Sequence, residues 1–161
     1  MRRLPLFLLV ASAAMAAVIG GYVLLPSRAT GLLDPHNRML VARGEGLYLA
    51  QCAACHGRHL EGQPNWRGVD ADGYLPAPPH DKTGHTWHHP DQLLFNIVKL
   101  GTAKAANLKD YKTRMAAFEN TLSDDDIIAV LSYIKSQWPE DMQIRHDKLN
   151  QAYELKDKAA K

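Results

Sequence analysis

Two cysteines and a histidine within five residues carry the clearest chemistry in this sequence. They form the run Cys52-Ala53-Ala54-Cys55-His56, and no other cysteine occurs among the 161 residues. Thiols at this spacing can add to the two vinyl groups on one edge of a porphyrin, and the adjacent imidazole can then bind the iron. The motif therefore predicts covalent haem attachment through Cys52 and Cys55, with His56 as an iron ligand.

Closely spaced cysteines also occur in disulfide scaffolds, redox-active pairs and zinc sites. Two cysteines are too few for a disulfide framework or for a four-cysteine zinc site within one chain. A thioredoxin-like redox pair would need a βαβ pattern, which this sequence lacks. The remaining alternative is half of a zinc site shared with another chain, in which His56 would be incidental.

A second iron ligand can come from methionine, whose thioether raises the reduction potential and so suits an electron carrier. After the first thirty residues the candidates are Met39 in a predicted helix, Met115 in a loop and Met142 in a charged tail. A lone methionine is more often core filler. The residues alone therefore leave ligation by Met115 open.

Three helices are predicted around these residues, and no strand pattern is visible. The first spans about residues 38–51 and ends at the cysteine motif. The second follows Pro90, covers residues 91–100 and stops at Gly101. The third begins after Ser123, a good N-cap, and has an acidic first turn. Its apolar residues recur at spacings of three and four, which predicts a core-facing stripe of Ile127, Val130, Leu131 and Ile134.

The stretch between Gly57 and Pro90 is rich in glycine, proline and histidine and shows no sustained period. Such a long loop is unusual in a compact domain unless something other than the chain packs against it. A porphyrin would supply that missing apolar surface.

The first 25 residues predict a membrane anchor. Arg2 and Arg3 precede an uncharged run from Leu4 to Leu25, which as a helix would measure about 33 Å and could cross a hydrocarbon core of about 30 Å. The positive-inside rule then places the N-terminus in the cytoplasm and the rest of the chain in the periplasm. The alternative is a leader cleaved near Ala14-Met15-Ala16 or Ala11-Ser12-Ala13, which would give a soluble periplasmic protein.

The distribution of charge excludes nucleic acid as a partner. The net charge is +2, but Arg2, Arg3 and Arg28 stand in a segment without acids, so residues 31–161 hold 16 bases against 17 acids. Nucleic-acid-binding domains keep their positive charge in the folded part. Within the folded part, residues 99–114 are predominantly basic and residues 119–126 are acidic.

Two segments resemble class I c-type cytochromes. Residues 44–57 read GEGLYLAQCAACHG, with a glycine and an aromatic placed before the first cysteine as in that family, and residues 115–135 read MAAFENTLSDDDIIAVLSYIK, similar to the family's distal methionine loop and last helix. The resemblance covers about residues 39–138. It implies an all-α cytochrome c fold, with three to five helices around one haem c, and Met115 as the second axial ligand. Many bacterial members have proline where this chain has Ala116, which implies a less rigid loop.

The resemblance also implies two contacts. The first and last helices of the family cross near the attachment site, so Gly44 and Tyr48 should meet Val130 and Tyr133. A proline carbonyl in the family accepts the Nδ1–H of the proximal histidine and fixes it as a neutral ligand. Among the candidates for this carbonyl, Pro79 is predicted first and then Pro78, ahead of Pro76.

Four histidines within ten residues offer a different hypothesis. They are His80, His85, His88 and His89, and imidazole suits copper and zinc. A loop that is solvated or contacts the haem propionates is favoured, and a second metal is the alternative. Three aromatic residues could line the haem pocket or simply pack: Trp66, Tyr74 and Trp87.

These predictions divide the chain into an anchor (1–25), a linker (26–38), a cytochrome c domain (39–138) and a charged, helical extension (139–161). The predicted function is a monohaem carrier of single electrons rather than an enzyme, in the cytoplasmic membrane with its haem domain in the periplasm. Its basic segment would steer acidic redox partners. The alternatives are a haem-based sensor or peroxidase-like enzyme, which needs an open axial position, and a copper-handling protein.

Overall fold

The computed structural model describes residues 31–160, and all regular structure in that range is helical. Six α-helices and one 3₁₀ turn occur, which agrees with the all-α prediction. In chain order they are α1 (Arg38–Gln51), α2 (Ala53–His56), the 3₁₀ turn (Thr86–His88), α3 (Asp91–Leu100), α4 (Thr102–Ala105), α5 (Asp124–Ser136) and α6 (Glu140–Ala159).

The proposed membrane anchor at residues 1–25 lies outside the described residues. From residue 31 to residue 160, no helix combines the length and apolar character needed to cross a membrane.

The structure confirms the three predicted helices, and local sequence signals determine where they begin and end. At the start of α1 the side chain of Asn37 accepts the N–H of Leu40 at 3.1 Å. At the start of α5, Ser123 and Asp126 form a reciprocal capping box in which each side chain accepts the other residue's N–H. Such a cap satisfies amide groups that have no partner within the helix. Gly101 ends α3 with a positive φ of 83°, which favours glycine.

Helices α1 and α5 cross at Gly44, where backbone meets backbone. A Cβ atom on Gly44 would lie only 2.0 Å from the carbonyl oxygen of Ala129 and 2.9 Å from the Cβ of Tyr133. The rings of Tyr48 and Tyr133 lie 5.5 Å apart, as the family resemblance implies. The α5 atoms nearest to Gly44 thus belong to Ala129 and Tyr133, and the predicted contact with Val130, which is buried in the same helix, stays a prediction.

The charged extension forms α6, and the first half of this helix docks on the domain. Lys135 is buried and reaches Asp147 at 2.5 Å. Fully buried His146 lies against the carbonyl oxygen of His89 at 2.9 Å, and the N–H of Asp91 donates to the Oδ1 atom of Asn150 at 2.8 Å. Residues 151–160 are exposed. The sequence alone left open whether this tail packs on the domain or on a partner.

Buried His146 is expected to make stability depend on pH. Burial lowers the pKa of His146 below its ordinary value of 6.5; the charges of Asp91 and Asp147 oppose this effect and that of Lys135 reinforces it. The unfolded chain therefore takes up a proton at this imidazole at a higher pH than the folded chain does. The free energy of unfolding should consequently fall as the pH drops below about 6.5.

Denaturant titrations of the wild type and of His146→Gln across this pH range measure the effect. Glutamine keeps an N–H donor for the carbonyl of His89 but does not titrate. We expect a shallower loss of stability with falling pH in the variant. Identical pH dependence in the two proteins would contradict the assignment to His146.

Candidate haem site

A cavity of about 860 Å³ lies between the end of α1, α2, the loop that follows it, α3 and α5. The predicted attachment and ligand residues Cys52, Cys55, His56 and Met115 all line it. Most of the remaining wall is apolar, including Leu75, Leu94, Ile97, Val98, Phe118, Val130, Leu131 and Ile134. The structure therefore brings together residues that are far apart in the sequence, and it surrounds them with a surface suited to a large apolar ring.

Helix α2 is a single turn that places the two thiols and the imidazole at one wall of the cavity. Cys52 is partly buried, Cys55 is exposed, and neither forms a disulfide. Burial, followed by the charge of Cys55, raises the pKa of the Cys52 thiol to about 11. This thiol is therefore protonated at neutral pH, unlike the low-pKa thiol of a reactive redox pair.

The imidazole of His56 is held by a backbone carbonyl. Its Nδ1 atom lies 2.9 Å from the carbonyl oxygen of Pro78, and only 7% of the residue is exposed. Burial lowers the pKa of His56, although the hydrogen bond to Pro78 opposes that shift. With Nδ1–H donated to this carbonyl, Nε2 is left unprotonated and available to a metal.

The assignment of this contact to Pro79 is therefore wrong, and Pro78 fills the role. The carbonyl of Pro79 faces another turn of the chain. A Cβ on Gly84 would lie 2.0 Å from that oxygen, so the backbone of Gly84 approaches it closely. The proline-rich segment is thus shifted by one residue from the predicted register.

Met115 lies in the loop between α4 and α5. The end of this loop is fixed by two backbone hydrogen bonds, from Phe118 to the carbonyl of Val98 at 3.1 Å and from Glu119 to that of Lys99 at 3.0 Å. The other methionines after residue 30 are unsuitable, because Met39 is 85% exposed and Met142 lies in α6 away from the cavity lining.

A family model for cytochrome c matches residues 41–138, which is more than half of the chain and includes Cys52, Cys55, His56, Pro78 and Met115. The chain belongs to the cytochrome c family. No curated protein and no solved structure matched the chain. Proteins of this family are typically electron carriers rather than enzymes, and they bind iron-containing haem c covalently. This cytochrome c is accordingly a haem-based electron carrier with one haem c and with protein redox partners.

The residues of this cytochrome c fit that haem. Cys52, Cys55 and His56 all line the cavity, so the two thiols are placed for attachment. Because Nδ1 of His56 is engaged by Pro78, its unprotonated Nε2 atom is the one left to bind the iron. The apolar walls supply the surface against which a macrocycle packs. The long loop after α2 contributes much of this wall, which explains why it has no periodic pattern of its own.

His80 packs against His56 in a way that the sequence did not predict. The rings of His80 and His56 are stacked with centroids 4.1 Å apart, and the Nδ1 atom of His80 lies 2.8 Å from the hydroxyl of Thr86. Burial holds the pKa of His80 well below its ordinary value, so this neighbour of His56 is neutral. No spacing rule relates residues 56 and 80, and only the path of the loop brings them together.

The other three histidines of the predicted cluster also make ring contacts. His88 stacks on Trp87 at 3.7 Å, whereas His85 stacks on Trp66 at 5.2 Å and also meets the ring of His89 edge-on at 5.3 Å. Across residues 31–160, no group of three or more His, Cys, Asp or Glu residues is arranged to hold a metal ion. The geometry therefore gives no support to a copper site. Among the predicted pocket aromatics, Trp66 lines the cavity and Tyr74 and Trp87 do not.

Ion pairs reduce the basic character of residues 99–114. Lys99 pairs with Asp124 at 2.7 Å, and Arg114 contacts both Asp70 and Asp72. The bases of this segment that form no ion pair within the described part of the chain are Lys104, Lys109 and Lys112. The positive surface next to the Met115 loop is consequently smaller than the sequence suggested.

Proposed function

We propose that this cytochrome c carries single electrons on the periplasmic side of the cytoplasmic membrane, with His56 and Met115 as its axial iron ligands. The observation that carries the proposal is that one cavity is lined by both residues together with the two attachment cysteines. When bound, the haem iron supplies the one-electron chemistry, and a His/Met ligand pair raises its potential.

The chain's own residues suit outer-sphere transfer. Pro78 fixes the orientation and tautomer of His56 through the 2.9 Å hydrogen bond. Val98 and Leu131 belong to an apolar wall that keeps water from the ligand positions. Since His56 and Met115 would both bind the iron, no site would need to open during the transfer. This arrangement favours a carrier over a sensor or a peroxidase-like enzyme.

The surface near the Met115 loop favours an acidic partner. Lys104, Lys109 and Lys112 are exposed around the loop. Exposed lysines that form no ion pair raise the rate of association with a negatively charged protein more than they raise the affinity of the complex. The membrane location rests on the apolar run of residues 4–25 and on the preceding arginines.

Replacement of Met115 by alanine tests the ligand assignment. We expect the oxidised protein to lose its iron–sulfur charge-transfer band completely. The reduced protein, which should not bind carbon monoxide in the wild type, should then bind it stoichiometrically because the axial position is open. Absorption spectra of the purified haem form measure both changes.

Met142→Ala is the matched control, because this methionine is partly buried but does not line the cavity. It should keep the band and exclude carbon monoxide. Ready carbon monoxide binding by the wild-type protein would overturn the carrier in favour of a sensor or an enzyme. A band that survives in Met115→Ala would show that another residue is the ligand.

A further inference from the structure

The segment that carries Met115 has little backbone support. Within residues 31–160, backbone hydrogen bonds outside the helices reach Leu108 on one side and Phe118 on the other, and none involves residues 109–117. The amide of Met115 donates only to the nearby hydroxyl of Thr113, at 3.0 Å. Side chains must therefore hold this segment against the cavity.

Arg114 makes most of the polar contacts between this segment and the turn at residues 70–74, and Lys112 adds one, with its Nζ atom 5.9 Å from the centre of the Tyr74 ring. The guanidinium of Arg114 donates to the Oδ2 atom of Asp70 and, at 3.2 Å, to the Oδ2 atom of Asp72. Its Cζ atom lies 4.0 Å from the centre of the Tyr74 ring. A planar guanidinium suits such a site because it can bind two carboxylates in fixed directions and stack on an aromatic face at the same time.

The partner of Arg114 is a well-ordered turn. The Oδ1 atom of Asp70 accepts the N–H groups of Asp72 at 3.0 Å and Tyr74 at 2.9 Å, and the N–H of Asp70 donates to the Tyr74 carbonyl at 2.8 Å. The chain continues from this turn along the cavity wall to Pro78, whose carbonyl holds His56. The turn at residues 70–74 therefore connects the segment that carries Met115 to the proline whose carbonyl holds His56.

We propose that Arg114 is a positioning residue that keeps the Met115 sulfur at the iron by clasping its segment to the turn at residues 70–74. This inference rests on the proposed function, in which Met115 is an axial ligand. Without the clasp, residues 109–117 would lose both ion pairs to the turn and would keep only the more distant contact of Lys112 with the Tyr74 ring, so the thioether would leave the iron more often.

The test compares two arginines in the purified haem form. Arg114→Ala should raise the equilibrium constant for Met115 dissociation roughly fivefold to thirtyfold, the combined effect of exposed ion pairs and one cation–π contact. The measurement is the midpoint of denaturant-induced loss of the iron–sulfur band, together with the rate of carbon monoxide binding after reduction. Arg43→Ala is the control, since Arg43 is 53% exposed against 52% for Arg114 and also pairs with an aspartate.

Two further variants separate a clasp from a general loss of charge. Asp70→Asn keeps the Oδ1 acceptor of the turn but removes the charge that Arg114 binds, so it should reproduce part of the Arg114→Ala effect. Combining Asp70→Asn with Arg114→Ala should add little, because both substitutions break the same contact between Arg114 and Asp70. Arg114→Lys should restore the band only partly, since lysine cannot bridge both carboxylates.

The outcomes are distinguishable from failure of the proposed function. If Met115→Ala removes the band while Arg114→Ala behaves like Arg43→Ala, Met115 is the ligand and the clasp is refuted. If Met115→Ala keeps the band, the ligand assignment itself fails. A band that weakens in Arg114→Ala, stays intact in Arg43→Ala and partly returns in Arg114→Lys supports the clasp.

Discussion

Replacing Cys52 and Cys55 together by serine is expected to leave no covalently bound haem. A thiol adds to a vinyl group to form a thioether, whereas a serine hydroxyl is a far weaker nucleophile. The sequence contains no third cysteine that could substitute. Haem staining after denaturing electrophoresis and the mass of the intact chain measure the loss, which we expect to be complete. Each single variant should keep one bond and remain stained.

The control for this pair is Ala54→Ser, which adds a hydroxyl to the same turn at an exposed position and keeps both thiols. It should be stained as strongly as the wild type. The double variant should also unfold more readily, because a cavity of about 860 Å³ would lack its covalent occupant. Staining that survives denaturation in the double variant would mean that the haem is attached elsewhere.

The parts of the fold that the sequence predicted are those determined by local chemistry. A capping side chain at Ser123 and a glycine stop at Gly101 act within a few residues, so their effect is visible in the sequence. The cysteine motif is equally local. Resemblance to a family supplied Met115, whose position in the cavity no local signal indicates.

What the sequence could not predict depends on contacts between distant segments. The choice of Pro78 over Pro79 depends on where Gly84 meets the proline-rich segment. The effective positive charge of residues 99–114 depends on the ion pairs of Arg114, whose carboxylate partners are more than forty residues away in the sequence. Such pairings follow from the path of the long loop, which lacks a repeating pattern because much of its packing is against the cavity.

The crossing of α1 and α5 is a contact between distant segments that affects both the stability of the fold and the haem site. It holds the cysteine turn at the end of α1 against the helix whose Val130, Leu131 and Ile134 line the cavity. The hydroxyl of Tyr48 adds a link by donating to the carbonyl of Gly57 at 2.8 Å, just beyond the cysteine motif. Loosening the crossing should therefore affect both the free energy of unfolding and the geometry at the haem site.

Gly44→Ala should lower the free energy of unfolding by about 1–3 kcal/mol, because the added methyl group overpacks the crossing. Its Cβ would lie 2.0 Å from the Ala129 oxygen and 2.5 Å from the Ala129 carbonyl carbon. Both atoms are backbone, so a rotamer change cannot relieve the clash and the helices must separate. Urea denaturation of the haem form measures the loss.

Gly46→Ala provides the control within the same helix. Gly46 has no atom within 4 Å of an added Cβ, so alanine there should stabilise the protein by up to about 1 kcal/mol through helix propensity alone. The same chemical change at two positions in α1 should therefore have effects of opposite sign, and the propensity gain cancels in their difference. If Gly44→Ala proves as stable as Gly46→Ala, α1 and α5 do not approach closely enough to require glycine. A destabilised Gly44→Ala that still attaches haem would show that the crossing sets stability without controlling the attachment chemistry.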